Sequence, residues 1–158
     1  GAIESWEEIG TGGILNPSTD RWYDNTDIDD DGPTGGVIGS MSGPNVGFGV
    51  GGSTLSQILS TEVASEGEYL LEVAIGDRNI GNNATQFGGY NLELWDGDSQ
   101  LATTGDIFSS PSGEGSFDDA TLSYTAQAGD SGFLEIRLST LNGGAGVDFD
   151  NVRLSVSF

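Results

Sequence analysis

Apolar and polar residues alternate along much of the second half of the chain. The alternation is clearest in five segments, which are residues 68–76, 90–95, 121–126, 133–140 and 147–156. Because successive side chains of a β-strand point to opposite faces, a period of two predicts half-buried strands of an antiparallel sheet. In the last segment Val147 and Phe149 are out of phase with Val152, which predicts a β-bulge at Asp150-Asn151.

The first half is less regular, and Gly, Pro, Asn and Asp separate its candidate strands. These are residues 5–9, 21–23, 37–41, 46–50 and 54–59. No stretch repeats apolar residues at helical spacing over three turns, so we expect little helix. Asp96-Gly97-Asp98 predicts a hairpin turn, because Asp-Gly tolerates positive φ. About ten strands predict an all-β fold, a two-sheet antiparallel β-sandwich with jelly-roll-like wiring.

The length and composition favour one domain. A chain of 158 residues can bury a core without a metal or disulfide, and 27 glycines suit short strands joined by tight turns. With no Cys, the sequence does not indicate a redox compartment. Gly1-Ala2 resembles an excised boundary, so we expect residues 1–158 to be a single ligand-binding domain from a larger exported protein.

The charge is strongly negative. Twenty-five acidic residues against four arginines give a net charge of −21. Such a surface repels phosphate backbones and anionic lipids, so we expect no nucleic-acid partner. Membrane insertion is not expected either, because no apolar run is long enough to span a bilayer. Clustered carboxylates favour calcium as a cofactor, whereas the simpler alternative is solubility in a salty medium.

The residue types offer little for covalent catalysis. Without His, Cys or Lys, the usual triads and Schiff bases are impossible. A carboxylate pair could hydrolyse glycosides, but no pair stands out among 25 acids. We therefore predict that the protein is not an enzyme.

Exposed aromatic residues are the best candidates for contacting a ligand. Trp95 is out of phase with the core and beside a turn, while Trp22 and Tyr23 adjoin an acidic loop. The alternative is that these rings cover the ends of the sandwich. Asp77-Arg78 ends a strand, where Arg78 could hold a carboxylate or a hydroxyl pair, or form a salt bridge with a nearby acid.

Two acidic clusters could bind calcium. Asp27, Asp29 and Asp31 with Gly32 match the start of a calcium loop, but the later positions do not fit, and an acidic surface turn is the alternative. The second cluster is Asp148, Asp150 and Asn151, for which the alternative is a bulge with solvated carboxylates.

Several segments together resemble a known class of domain. They are Gly12–Pro17, Ser53–Gln57, Tyr69–Arg78, Gly89–Trp95 and above all Val147–Leu154. The chain resembles jelly-roll, carbohydrate-binding-module-like domains of bacterial exported proteins, which include calcium-dependent adhesins and sorting-signal proteins. The resemblance implies a calcium ion between the first and last strands, with Asp150 as one ligand and Glu4 in the partner position. The spacing from Glu4 to Trp6 is shorter than usual, which weakens that match.

These observations predict an extracellular or cell-surface binding module. We expect it to be monomeric and calcium-stabilised, with a polysaccharide or cell-surface glycan as its partner. One alternative is an adhesin module that binds a protein or peptide, or that spaces its neighbours along a fibre. The other is a small glycosidase that uses two carboxylates.

Overall fold

The computed structural model describes most of the chain. It covers residues 6–15, 28–29, 32–33, 46–78, 86–111, 113, 115–142 and 146–158. For residues 14, 15, 28, 29, 32, 33 and 46 it describes the backbone only.

The described residues form ten β-strands and no helix. The strands are β1 (Glu7–Leu15), β2 (Ile28–Asp29), β3 (Gly32–Pro33), β4 (Val46–Glu62), β5 (Glu68–Asp77), β6 (Tyr90–Asp96), β7 (Ser99–Thr103), β8 (Ser116–Thr125), β9 (Phe133–Thr140) and β10 (Gly146–Ser157). All five alternating segments of the second half are strands. The separate strands predicted at 46–50 and 54–59 are one long strand, β4, while those predicted at 21–23 and 37–41 lie outside the described residues.

Eight of the strands make one antiparallel sheet in the order β7-β6-β9-β4-β10-β5-β8, and β1 pairs with β4 beside this path. Strands β2 and β3 form a separate short hairpin. The edge strands β7 and β8 contact each other, so the large sheet curls until it is nearly closed. We call its two sides, β7-β6-β9-β4 and β10-β5-β8, the two layers of the sandwich-like fold.

The core lies between these layers. Leu71 and Val73 of β5 are fully buried in the same apolar cluster as Leu92 of β6 and Leu138 of β9. Burying each such side chain contributes about 1.5–3 kcal/mol, so the alternating residues supply the main driving force for folding. The prediction of an all-β, jelly-roll-like sandwich with little helix is confirmed. In the part of the chain that the structure describes, no helix is long and apolar enough to cross a membrane.

The predicted irregularities are also present. The ladder between β5 and β10 shifts its register between Asp150 and Arg153, and Asn151 has φ of 46°. This is the predicted bulge. Strand β10 stays paired with β5 on both sides of it, at Phe149 and at Leu154. Gly97 has φ of 50° in the turn between β6 and β7, as an Asp-Gly hairpin requires.

One end of the β10-β5-β8 layer is buried on both of its faces. Val73 and Ile75 of β5 point into the core, yet Ala74 between them is also 0 % exposed. Ala74 does not belong to the core cluster, so its burial marks a second covered region on the outer face of this layer. That region contains the candidate site.

Candidate active site

Five residues lie side by side across the sheet on the face turned away from the core. They are Gly13, Phe48, Asp148, Gly76 and Phe117, on β1, β4, β10, β5 and β8. Directly paired residues of neighbouring strands share one face, and the neighbours of Asp148 in the chain, Val147 and Phe149, point into the core. We call these five residues the Asp148 row.

The Asp148 row is largely closed to solvent. Asp148 is 0 % exposed and Phe117 2 %, whereas Phe48 is half-buried. Phe117 lies outside the main core cluster, like Ala74. The Asp148 carboxylate is thus held in an apolar environment. Its neighbour on β4 is Phe48, and its neighbour on β5 is Gly76.

Arg78 binds this carboxylate through two nitrogens. Its Nε donates to Oδ2 of Asp148 at 2.9 Å and its Nη2 donates to Oδ1 at 2.6 Å. The guanidinium carbon also lies 5.7 Å from the centre of the Phe48 ring. A two-pronged arginine–carboxylate pair fixes the plane of the carboxylate. Since Gly76 is the residue of β5 opposite Asp148, no side chain stands between Arg78 and its partner.

The two residues predicted at the end of β5 have different surroundings. Of the two roles predicted for Arg78, the structure shows the salt bridge, because its guanidinium binds Asp148. Asp77 is buried, and its backbone carbonyl accepts a hydrogen bond from the amide of Gly115 at 2.7 Å. Its side chain falls on the opposite face from that of Arg78.

Trp95 faces away from the core, as its phase predicts, and is half-buried. The guanidinium of Arg137 lies over its ring, 3.8 Å from the centre, and the indole Nε1 donates to Glu93 at 3.2 Å. Glu135 accepts two hydrogen bonds from Arg137, at 2.8 and 3.1 Å, and these bonds raise the pKa of Arg137 above its usual value. One face of the Trp95 ring is therefore covered and not open to a sugar.

The cluster at the start of β10 does not form a calcium cage among the described residues. Both oxygens of Asp148 accept hydrogen bonds from Arg78, so an arginine holds this carboxylate. Asp150 is half-buried opposite Ala74, and Asn151 occupies the bulge. No group of three or more acidic, His or Cys side chains suited to a metal occurs within the described part of the chain.

The remaining predicted site residues are not described. Glu4, Trp22, Tyr23, Asp27 and Asp31 lie outside the described residues, and for Asp29 only the backbone of β2 is described. Their ligand or calcium roles stay predictions.

Phe48 and Phe117 are site residues that the sequence analysis missed. A signal existed for Phe48, because Gly47-Phe48-Gly49 places a lone aromatic ring on the strand face opposite two glycines. The partnership of Arg78 with Asp148 had no such signal. These residues are 70 positions apart, and only the pairing of β5 with β10 brings them together.

The fold and the site together define a jelly-roll sandwich that buries an arginine–carboxylate pair beside aromatic rings on its outer face. The model of one protein family matches residues 1–155, and the family is described as HpiC1-like, HpiC1 cyclase. The chain therefore belongs to the HpiC1-like family. A comparison with curated proteins gives no match.

Solved structures of cyclases share this fold. An apo cyclase from Fischerella sp. is 28 % identical with a TM-score of 0.64, covering 99 % of this chain and 89 % of that one. The Stig cyclase Fisc from Fischerella sp. TAU, in complex with (3Z)-3-(1-methyl-2-pyrrolidinylidene)-3H-indole, is 24 % identical with a TM-score of 0.74, covering 98 % and 85 %. A cyclase from the same source, in complex with 4-(1H-indol-3-yl)butan-2-one, is 22 % identical with a TM-score of 0.73, covering 99 % and 87 %.

These findings correct several predictions. The chain is not a member of the carbohydrate-binding or adhesin domains that it resembled, since a cyclase family accounts for residues 1–155. The prediction of a non-catalytic binding module is wrong for the same reason, and so is that of a polysaccharide or glycan partner. The adhesin, spacer and glycosidase alternatives gain no support from this family. The resemblance was misleading because the shared motifs belong to the jelly-roll strands rather than to a site.

Proposed function

We propose that this protein is a cyclase that closes a ring within an indole-bearing small molecule at the Asp148 row. Membership of the HpiC1-like family supports the reaction class. The indole ligands of two cyclases of the same fold support the substrate class. The observation that carries the site is the fully buried Asp148 carboxylate, which Arg78 holds in one plane beside Phe48.

The chemistry of ring closure suits a fixed carboxylate. An isomerising cyclisation forms a new bond within one molecule, and a proton added at one atom is lost from another, so the product has the mass of the substrate. Positive charge that develops on the indole skeleton is stabilised by a nearby negative group, and this effect is strong where water is excluded.

Phe48 is suited to contact the indole ring, because it is the half-buried aromatic residue of the row. Offset or edge-to-face contacts between aromatic rings contribute about 0.5–1.5 kcal/mol beyond the area they bury. The ligand would thus lie with one ring edge on Phe48 and its reacting atoms towards Asp148.

Catalysis is tested by incubating the protein with indoles that carry an unsaturated side chain and analysing the mixture by chromatography and mass spectrometry. We expect a product of unchanged mass that elutes apart from the substrate. Asp148→Asn should lower the rate by about 100-fold or more, because it removes the charge and the proton carrier. Arg153→Lys is the matched control, since Arg153 pairs with Asp119 at 2.7 Å elsewhere on the same layer. Failure to obtain an isomeric product from any such indole would refute the proposed reaction.

Because Asp148→Asn leaves a buried arginine without its charged partner, its melting curve must be compared with the wild type. Phe48→Leu keeps the ion pair and gives a second test. Binding of 4-(1H-indol-3-yl)butan-2-one at the row should weaken several-fold in Phe48→Leu. An unchanged affinity would place the ligand elsewhere.

We further propose that calcium stabilises the protein through the acidic segment 27–31 rather than through Asp148. The acids at 27, 29 and 31 follow the alternating spacing of a calcium loop. The salt bridge of Asp148 with Arg78 favours the segment 27–31 over Asp148.

A further inference from the structure

A groove crosses the face formed by β1, β4, β9 and β6, and it lies at other positions along β1 and β4 than Gly13 and Phe48 of the Asp148 row. Its volume is about 280 Å³, near the lower end of the ~300–1,000 Å³ that small-molecule sites occupy. Eight residues line it, which are Glu7, Ile9, Thr54, Ser56, Glu93, Glu135, Arg137 and Ser139.

The strand register explains why the groove exists. Glu7, Ser56, Arg137 and Glu93 are paired in sequence across β1, β4, β9 and β6, so they form one row on one face. Arg137 leans out of this row to lie on Trp95 and bind Glu135. Because the Arg137 side chain turns away from the row, small hydroxyl residues form the floor of the groove. The backbones of Glu7 and Arg137 lie two strand spacings, about 10 Å, apart.

Arg137 has two flat faces and Trp95 covers one of them. Arg137 is also one of the residues that line the groove. At the opposite wall Glu7 supplies a carboxylate and Ile9, 59 % exposed, supplies apolar surface. The groove thus offers a flat cation, a hydrogen-bond acceptor and an apolar edge.

Trp95 shows which ligand this combination suits. Its indole ring stacks on the guanidinium of Arg137 while its N–H donates to the carboxylate of Glu93. The groove contains the same two kinds of group, because the guanidinium-bearing Arg137 and the carboxylate-bearing Glu7 both line it. Stacking of an aromatic ring on a guanidinium and an N–H···carboxylate bond are both favourable at a partly exposed site.

We propose that this groove is a second binding site for an indole-type ligand, which stacks on the free face of Arg137 and donates its ring N–H to Glu7. The ligand class is the one named in the proposed function, but the site needs no catalysis at Asp148. Its ligand would complete a stack of three planar groups, with the guanidinium in the middle.

The test is a titration of the whole chain with 4-(1H-indol-3-yl)butan-2-one, followed by calorimetry and by the NMR signal of the Trp95 ring N–H. We expect that signal to shift on binding. Arg137→Lys keeps the charge but removes the flat face, and should weaken binding at the groove about tenfold. Glu7→Gln should weaken it as well, while Arg153→Lys on the other layer should leave it unchanged. The N-methyl analogue of the probe, which lacks the donor, should bind the groove more weakly than the probe.

The inference is overturned if Arg137→Lys binds the probe as the wild type does, or if the Trp95 signal does not move at saturation. Failure of the proposed function gives a different result. In that case one ligand binds per chain, and its binding is abolished in Arg137→Lys but not in Phe48→Leu. If both sites exist, each of these two variants loses one of two ligands.

Discussion

Arg78 and Arg137 each bind a carboxylate through two nitrogens, yet their surroundings differ. Asp148, the partner of Arg78, is 0 % exposed, whereas the side chain of Arg137 is 31 % exposed. Removing one member of a buried pair leaves an uncompensated charge and typically costs about 3–5 kcal/mol, while exposed pairs contribute about 0–1 kcal/mol. Glu135 and Arg137 are two residues apart on one strand, so their proximity follows from the alternation. The proximity of Arg78 and Asp148 does not follow from the alternation.

Tyr124 and Asp130 form a third polar contact, at the loop between β8 and β9. The Tyr124 hydroxyl donates to Asp130. Burial, followed by this hydrogen bond and the charge of Asp130, raises the pKa of Tyr124 to about 12. The same bond and the amide of Gln127 lower the pKa of Asp130. Both shifts favour a neutral tyrosine beside an ionised aspartate.

A pH dependence follows from Tyr124. Its pKa in the folded state lies above the ordinary value of 10.0, so the folded protein holds this proton more tightly than the unfolded chain. The resulting stability is complete below about pH 10 and is lost as the pH rises towards about 12. In Asp130→Asn the pKa of Tyr124 should fall part of the way to 10, as measured by tyrosinate absorbance with Tyr124→Phe as the reference. An unchanged pKa in Asp130→Asn would contradict the assigned cause.

At the scale of elements, the last strand is shaped by its bulge. Strand β10 pairs with β4 and β5 before the bulge and continues along β5 after it, which aligns the Asp148 row with its neighbours. The bulge depends on Asn151, whose φ of 46° lies in the left-handed region. Asn and Gly tolerate this region, and β-branched residues do not.

Variants at Asn151 should therefore differ in stability according to how well each residue tolerates a positive φ. We expect Asn151→Val to be less stable than Asn151→Gly by about 1–2 kcal/mol, measured by urea unfolding. Both variants remove the amide, so the difference between them reports the backbone. Equal stabilities, or a more stable valine variant, would mean that the bulge is not held in this conformation.

At the scale of the whole molecule, the residue composition restricts which kinds of catalysis are possible. The absence of His, Lys and Cys excludes nucleophilic triads and Schiff bases, but a ring closure within one substrate requires neither. The prediction of a protein without enzymatic activity failed because it considered covalent catalysis and glycoside hydrolysis but not ring closure within one substrate. An extracellular location stays a prediction.

Calcium is testable on the intact chain. A ligand that binds only the folded state stabilises it by about 2.7 kcal/mol at a hundredfold excess over its Kd. We expect calcium to raise the melting temperature more than magnesium or sodium at the same ionic strength, which controls for screening of the −21 charge. Asp29→Asn with Asp31→Asn should remove this difference, and Asp98→Asn in the β6–β7 turn should not. Equal melts with calcium, with sodium and with chelator would contradict the proposal.

Strands β5, β6, β8, β9 and β10, the Asp-Gly turn, the bulge and the outward position of Trp95 could be read from the sequence alone, because each depends on local alternation or on the φ that a residue tolerates. The site could not. Phe48 lies on β4, Asp148 on β10 and Arg78 directly after β5, and only the pairing of β10 with β4 and β5 makes them neighbours. Local periodicity determines which face a side chain takes, whereas the pairing and register of distant strands decide which side chains share that face and what chemistry they can perform.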